Sequence, residues 1–323
     1  MAERLLIRAL KGGKNTKIIT LNGKNITKMP SVLEKLPGLK TLYLQNNQIS
    51  KVCPEISNLT QLTALNLGNN LLEEVPQEMK YLTSLKTLHL FRNKIHRFAP
   101  GVCDGLQSLI LLNLNNNQLT WIPQEISRLK NLRCLSINHN QLASIPRELC
   151  FLENLSELQL NYNQLVCIPK EIKFLEKLQK LLLARNNIKS LPEFQDLKLK
   201  EFYCEGNPLF LKWPVSAIKQ EDVWSLQEIT SRFIMNQLAE NNPFLMKAIK
   251  WYPQVRSIIS QGRKCAICGK FFLTIWLECV EFFPPSKNWK ISRNLQLVPL
   301  QILICSYKCF YQRNPNIFGI AQR

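Results

Sequence analysis

Two pairs of cysteines near the end of the chain have the spacing that metal chemistry needs: Cys265-Ala266-Ile267-Cys268 and Cys305-Ser306-Tyr307-Lys308-Cys309. A C-x2-C step followed by Gly269 turns tightly enough to aim two thiolates at one ion, and a second pair starting 37 residues after Cys268 completes a tetrahedral shell. Four thiolates leave no open coordination position, so the expected cofactor is one structural zinc and not a catalytic one. Cys279 is a competing ligand, and the other reading is five reduced thiols packed in an apolar mini-domain. The six cysteines from Cys53 to Cys204 are scattered and read as small apolar packing residues. His89, His96 and His139 form no Cys/His or Ser/His/Asp signature, and the 11 glycines make no phosphate-cradling loop. No catalytic residues are assigned, and the chain is not expected to be an enzyme.

The cysteine segment, 261–323, resembles a treble-clef zinc finger: a knuckle, an apolar hairpin from Phe271–Val280 onward, then a pair opening a short helix. A tail of about 60 residues has little core of its own, so metal binding would contribute directly to its folding. Ahead of it, residues from Val215 to about Ser260 read as helical, with Leu226, Ile229, Phe233, Ile234 and Leu238 on one face. Segment 211–260 is therefore expected to be a helical cap. Within it, Ser225–Ile234 (SLQEITSRFI) resembles the elongin-binding box of ubiquitin-ligase substrate receptors, which implies Leu226 as the inserted leucine and Ile234 as the last position. Thr230 replaces the cysteine of that box. No clear cullin-selecting box follows, although Pro243 and Pro253 lie in the right region.

The elements that would position a binding surface lie before these segments. One asparagine recurs at Asn47, Asn70, Asn93, Asn117, Asn140, Asn163, Asn186 and Asn207, in steps of 23, 23, 24, 23, 23, 23 and 21. Most sit in the frame L-x-x-L-x-L-x-x-N-x-L, as in Leu155, Leu158, Leu160, Asn163 and Leu165. The L-x-L alternation has the period of a strand that buries its leucines. Two residues later the chain turns inward, where backbone N–H and C=O groups cannot reach water. An amide side chain, donor and acceptor together, answers both. Ile122-Pro123, Ile145-Pro146 and their equivalents then return the chain on the outer side in a short helical or irregular turn. One such unit cannot bury its own edge, so copies must stack. With a degenerate first copy around Ile19, Leu21 and Ile26, where Lys24 fills the asparagine slot, there are about nine coils over residues 1–210. At a spacing of ~4.8 Å they make a curved slab about 40 Å long.

This pattern resembles the intracellular leucine-rich-repeat family, in the 23-residue class. The resemblance implies an α/β solenoid with a curved parallel sheet and a role as binding scaffold or adaptor through the concave face. Tails with C-x2-C and a C-S-x-x-C element follow the repeats in a small set of such proteins, although the second pair here has one extra residue. The frame turns three rows outward, and from them Tyr43, His89, Phe91, Arg92, His139, Tyr162, Arg185 and Tyr203 are the expected partner-binding residues, with Phe91 and Arg92 foremost for their hot-spot character. The expected partner is a protein. A ubiquitin-ligase adaptor is the second possibility.

The bulk properties bound the remaining choices. In 323 residues, 46% hydrophobic and 20% charged, the chain is folded and not a disordered tail. A formal net charge of +19 makes a nucleic-acid-associated protein an alternative, but Lys and Arg are spread through both halves without a polybasic arm. Apolar stretches such as Leu297–Ile304 fall short of the ~20 residues of a membrane span. The start, MAERLLIRALKGGKN, has an apolar cluster broken by Arg8, unlike a secretory signal. The expected location is intracellular, in the cytoplasm, which leaves the sequons at Asn25, Asn58 and Asn154 unmodified.

Overall fold

A computed structural model describes residues 2–194, 197–209, 225–273, 277–285, 289–290, 296–313 and 317–319. The stretch 210–224 of the expected helical segment and residues 274–276 of the expected hairpin lie outside the described residues. The chain divides into two compact units: Met1–Lys189 with Phe194–Pro208 and Ser286–Leu295, and Ser190–Glu193 with Leu209–Pro285 and Gln296–Arg323.

In the first unit, nine three-residue strands stack in parallel in chain order: Ile18–Thr20, Thr41–Tyr43, Ala64–Asn66, Thr87–His89, Leu111–Asn113, Cys134–Ser136, Glu157–Gln159, Lys180–Leu182 and Glu201–Tyr203. The central residue of each is buried, and in Cys134–Ser136 so is Ser136. The register puts Leu42, Leu65, Leu88, Leu112, Leu135, Leu158, Leu181 and Phe202 side by side, all at most 1% exposed. A one-residue slip would turn this row to solvent, so burial locks the register. On the outer side the chain returns through 3₁₀ turns such as Pro54–Asn58, Gln124–Arg128 and Lys170–Phe174, each with one buried Ile. Proline at or just before each turn pre-sets its backbone. The 24-residue coil differs. It returns through a helical turn, Val102–Gly105, in which a Cβ on Gly105 would fall 1.6 Å from the Lys80 carbonyl oxygen.

Both ends of the stack carry elements that the periodicity does not predict. A helix over Ala2–Gly12 precedes the first coil, buries Leu6, and is tied down by Thr16 Oγ1 donating to the Ala9 carbonyl at 2.7 Å. At the other end Trp289–Lys290 adds a tenth parallel strand beside Glu201–Tyr203. The Trp289 ring packs 5.0 Å from Phe202 and 5.7 Å from Phe194, covering part of the last coil.

The second unit contains helices Leu226–Ala239, Pro243–Ala248 and Pro253–Ile259, and a small pair of strands, Arg263–Lys264 with Phe271–Phe272. A three-stranded antiparallel sheet of Leu277–Phe283 between Val298–Ile304 and Ile317–Gly319 follows, with the short helix Tyr307–Tyr311. Phe272, Ile302, Ile304, Phe310 and Ile317 form its core together with Cys265, Cys279, Cys305 and Cys309. Among the described residues no helix is long and apolar enough to cross a membrane.

Candidate functional site

The asparagine row runs as a ladder through the first unit. Asn117 is representative: Nδ2 donates to the carbonyls of Leu90 (3.0 Å) and Leu114 (2.9 Å), while Oδ1 accepts the Ile95 N–H at 3.0 Å. Asn47, Asn70, Asn93, Asn140, Asn163, Asn186 and Asn207 repeat the pattern, each tying its own coil to the one before. Even the Lys24 slot is served, since its N–H is bound by Asn47 Oδ1 at 2.9 Å. A second, shorter amide ladder lies on the concave face: Asn115, Asn138 and Asn161 accept the N–H groups of Asn138, Asn161 and Ala184 through Oδ1 at 2.7–2.8 Å. Those asparagines satisfy backbone groups and are less free to meet a ligand than their exposure implies.

The row just before the ladder asparagines has an unusual backbone. Asn46, Asn69, Arg92, Asn116, His139, Tyr162 and Arg185 all have φ between 52° and 59°, in the left-handed region. Asparagine and glycine tolerate that conformation and histidine adopts it more readily than most residues; for Arg and Tyr it costs about 1–2 kcal/mol each. Three of these strained residues meet. His139 stacks on Tyr162 with ring centroids 4.1 Å apart and planes 14° from parallel, and Arg185 places Cζ 5.3 Å from the centre of the Tyr162 ring. His139 and Arg185 are exposed, and Tyr162 is 44% exposed.

Phe91 is arranged differently. Its ring lies on Gly68, where a Cβ would come within 2.4 Å of it, and meets His89 edge-on with centroids 6.2 Å apart. Both are half-buried. Among the described residues His89 Nδ1 is buried without a hydrogen-bond partner, and burial lowers the imidazole's pKa, so the ring is neutral at pH 7. Arg92 is exposed beside this pair; Tyr43 lies near the start of the face and Tyr203 at its last strand. The two aromatic groups thus occupy different coils, with the three-residue stack toward the C-terminal half of the sheet.

In the second unit, Cys265, Cys268, Cys305 and Cys309 bring their sulfurs within 4.8 Å of one another. Cys305 Sγ lies 3.5 Å from Cys268 Sγ and 3.6 Å from Cys309 Sγ. A tetrahedral zinc site with Zn–S bonds of about 2.3 Å separates its sulfurs by about 3.8 Å, so the donor set fits zinc in type, number and spacing. The tight turn has Gly269 at φ 70° donating to the Cys265 carbonyl at 3.0 Å, and Ser306 caps the short helix by accepting the Cys309 N–H at 3.3 Å. Burial works to raise the Cys265 thiol, but N–H groups of Cys268, Cys305 and Ile267 outweigh it and hold the pKa down at about 7. In the solenoid, Cys103, Cys150 and Cys204 are pushed up to about 12, chiefly by burial, as inert packing thiols are. Cys279 is fully buried in the apolar core and is not one of the four.

The helix Leu226–Ala239 reverses the expectation drawn from its apolar pattern. Its inward side is mostly polar, with Met235 the buried apolar residue: Glu228, 3% exposed, accepts from Arg232 Nε at 2.6 Å and from the Leu273 N–H at 3.2 Å. Arg232 donates to the Cys305 carbonyl at 2.9 Å, and Asn236 Oδ1 accepts the Phe271 N–H at 2.9 Å. Glu228, Arg232 and Asn236, four residues apart, therefore bind the knuckle strand and a cysteine of the cluster. Leu226 (77% exposed), Ile229 and Phe233 face solvent instead. Thr230 is exposed with its hydroxyl donating to the Leu226 carbonyl at 2.8 Å, and Ile234 is half-buried.

Nine coils of about 23 residues, joined by an internal asparagine ladder, define a leucine-rich-repeat solenoid, and the chain belongs to the leucine rich repeat family, whose pattern matches residues 37–95, 60–119 and 83–142. It is 74% identical over 346 aligned positions to leucine-rich repeat-containing protein 69 of Homo sapiens, covering all of both chains. Among solved structures, a leucine-rich-repeat protein of Leptospira interrogans is similar at 32% identity and a TM-score of 0.54, over 62% of this chain and 57% of that one. A plant peptide hormone receptor, RGFR1, in complex with RGF2, is similar at 28% identity and a TM-score of 0.54, over 60% of this chain and 32% of the receptor.

Proposed function

We propose that the chain is a non-catalytic scaffold whose concave sheet face holds a protein partner, with His139, Tyr162 and Arg185 at the centre of contact. The observation that carries this reading is the stack itself, since three bulky side chains occupy left-handed positions where asparagine or glycine costs less. Bulky side chains at positions that other coils give to asparagine leave an aromatic and cationic cluster exposed on the concave face, and exposed Tyr and Arg are the side chains that dominate interface energetics. The plant receptor of the same fold, in complex with RGF2, is a precedent for binding by such a solenoid. Phe91, Arg92 and His89 extend the surface toward the N-terminal coils, and Tyr43 and Tyr203 mark its ends.

The test separates binding from folding. Tyr162→Asn with Arg185→Asn places a tolerant residue at both strained positions, so the unfolding midpoint is expected to hold or rise. Proteins that co-purify with the full chain are expected to be lost. An unchanged set of partners would show that the stack is not the contact, and Phe91→Ala would then examine the other aromatic group.

In this reading the four cysteines hold one structural zinc, which closes the second unit and presents the Leu226–Ala239 helix. The exposure of Leu226, Ile229 and Phe233 favours a second reading, a substrate receptor of a cullin-type ubiquitin ligase that uses this helix as its elongin-type box. Because Leu226 is exposed, Leu226→Ala is expected to change stability by no more than about 0.5 kcal/mol while removing any co-purifying elongin-type adaptor. Absence of the adaptor from wild-type preparations would end that reading.

A further inference from the structure

We propose that the rim from which the strands begin is, over coils six to nine, a docking groove for an acidic protein segment. In each coil the residue just before the strand offers its carbonyl to N–H groups of the next strand, which aligns these residues in a row along the rim. The row holds Lys17, Lys40, Lys86, Arg133 and Lys200, and no acidic residue. Two residues earlier runs a parallel row, also without an acid, which ends in Lys177 and Lys198. The rows meet in an open groove of about 680 Å³ lined by Arg133, Lys177, Lys198 and Lys200, with Asn154, Ser156 and Gln179 between them and Glu176 as the one acid among the described residues.

Those four cations are available. Among the described residues none of them makes an ion pair, whereas the neighbouring Lys180 is taken up by Glu157 at 3.2 Å and Glu201 at 3.4 Å. Lys177 Nζ is held by Asn154 Oδ1 at 2.7 Å, and Asn154 Nδ2 donates in turn to the Lys130 carbonyl at 2.9 Å, so one amide links a cation to two earlier coils, three coils in all. Unpaired like charges gathered in a concavity focus the field and favour an anionic ligand.

The lining selects the class of anion. Among the described residues it has amide and hydroxyl groups and one leucine, Leu178, but no aromatic ring on which a base would stack. It also has no projecting helix or two-stranded ribbon to enter a duplex groove. Carboxylates on an extended peptide, with backbone groups for the amides, match this lining better than a nucleic acid does. The inference stands on a surface separate from the concave stack and is independent of that assignment.

A fluorescently labelled peptide of about ten glutamates, titrated into the full chain and followed by anisotropy at two salt concentrations, tests it. Lys177→Glu with Lys200→Glu is expected to weaken binding at least about tenfold, since each exposed pair is worth up to about fivefold and reversal adds repulsion. Lys28→Glu with Lys51→Glu, an equal change of net charge away from the groove, is expected to stay within about twofold. Lys177→Gln with Lys200→Gln guards against misfolding and is expected to fall between the two. No saturable binding by the wild type, or equal losses in both reversal variants, would overturn the proposal. Tighter binding of a ten-nucleotide oligothymidylate, lost through the same two groove substitutions, would replace the peptide with a nucleic acid.

Discussion

Replacing Cys305 with serine is expected to leave the protein without bound zinc and to unfold the second unit. Cys305 is the hub of the cluster: its sulfur faces those of Cys268 and Cys309, its N–H donates to Cys265 Sγ at 3.4 Å, and its carbonyl receives Arg232. Structural zinc binding is worth about 10–16 kcal/mol in small metal-dependent folds, against the roughly 5–15 kcal/mol of net stability of an ordinary domain. No rearrangement of a small core offsets a loss of that size. Zinc per chain, measured on purified protein, is expected to fall from about one to near zero. Protease cleavage within 225–313 should become rapid, and a strong chelator should produce the same pattern in the wild type. Cys279→Ser is the control. It is expected to cost packing at a fully buried position and to leave the zinc content unchanged. A wild-type protein that is folded and free of zinc would sink the assignment.

The second large effect is expected within the ladder. Asn117→Ala removes two good donors and one acceptor from buried backbone partners, leaving the Ile95 N–H and the Leu90 and Leu114 carbonyls less satisfied. Each buried group stranded in this way costs about 1–3 kcal/mol, so a loss of about 3 kcal/mol or more is expected. Asn207→Ala is expected to cost less, because Asn207 is only half-buried at the end of the row. Denaturant titration of both variants, with hydrogen exchange at the Ile95 N–H, checks this. Coils fold through nearest-neighbour contacts, so the exchange change should concentrate around coils four and five. Equal effects at the two sites would mean that the ladder contributes little beyond local turns.

The solenoid was legible because every coil repeats the instructions of the one before. L-x-L sets a strand, the asparagine meets backbone groups inside the turn, and each strand's neighbour is the next copy. Where that self-reference stops, the order of the strands is no longer legible. Trp289–Lys290 is a two-residue strand with no period, so nothing in its own sequence announces that it joins the sheet. The helix Leu226–Ala239 misled for a different reason. Its apolar residues are conspicuous, but what needed partners nearby were polar backbone groups, and Glu228, Arg232 and Asn236 supply them. The left-handed row was half visible in Asn46, Asn69 and Asn116, which suit that conformation, and hidden where Arg92, His139, Tyr162 and Arg185 stand instead. The cysteine pairs were legible in type and spacing, while Cys279 needed the structure to separate it from them. The basic rim follows from the same frame, but its residues belong to different coils, and only the register brings Arg133, Lys177 and Lys200 to the lining of one groove.

The tenth strand also has a consequence in time. Coils one to nine can settle one upon another as they leave the ribosome, since each needs only its predecessor. The segment that covers part of the last coil arrives about 85 residues after Tyr203, and at about 5–20 residues per second that is a wait of roughly 4–17 seconds. During that interval the backbone of Glu201–Tyr203 is an open template for another strand. Messages truncated before Trp289 would leave it open permanently, so shortened products of this chain are expected to aggregate, or to be recognised by chaperones, far more than the number of missing residues suggests.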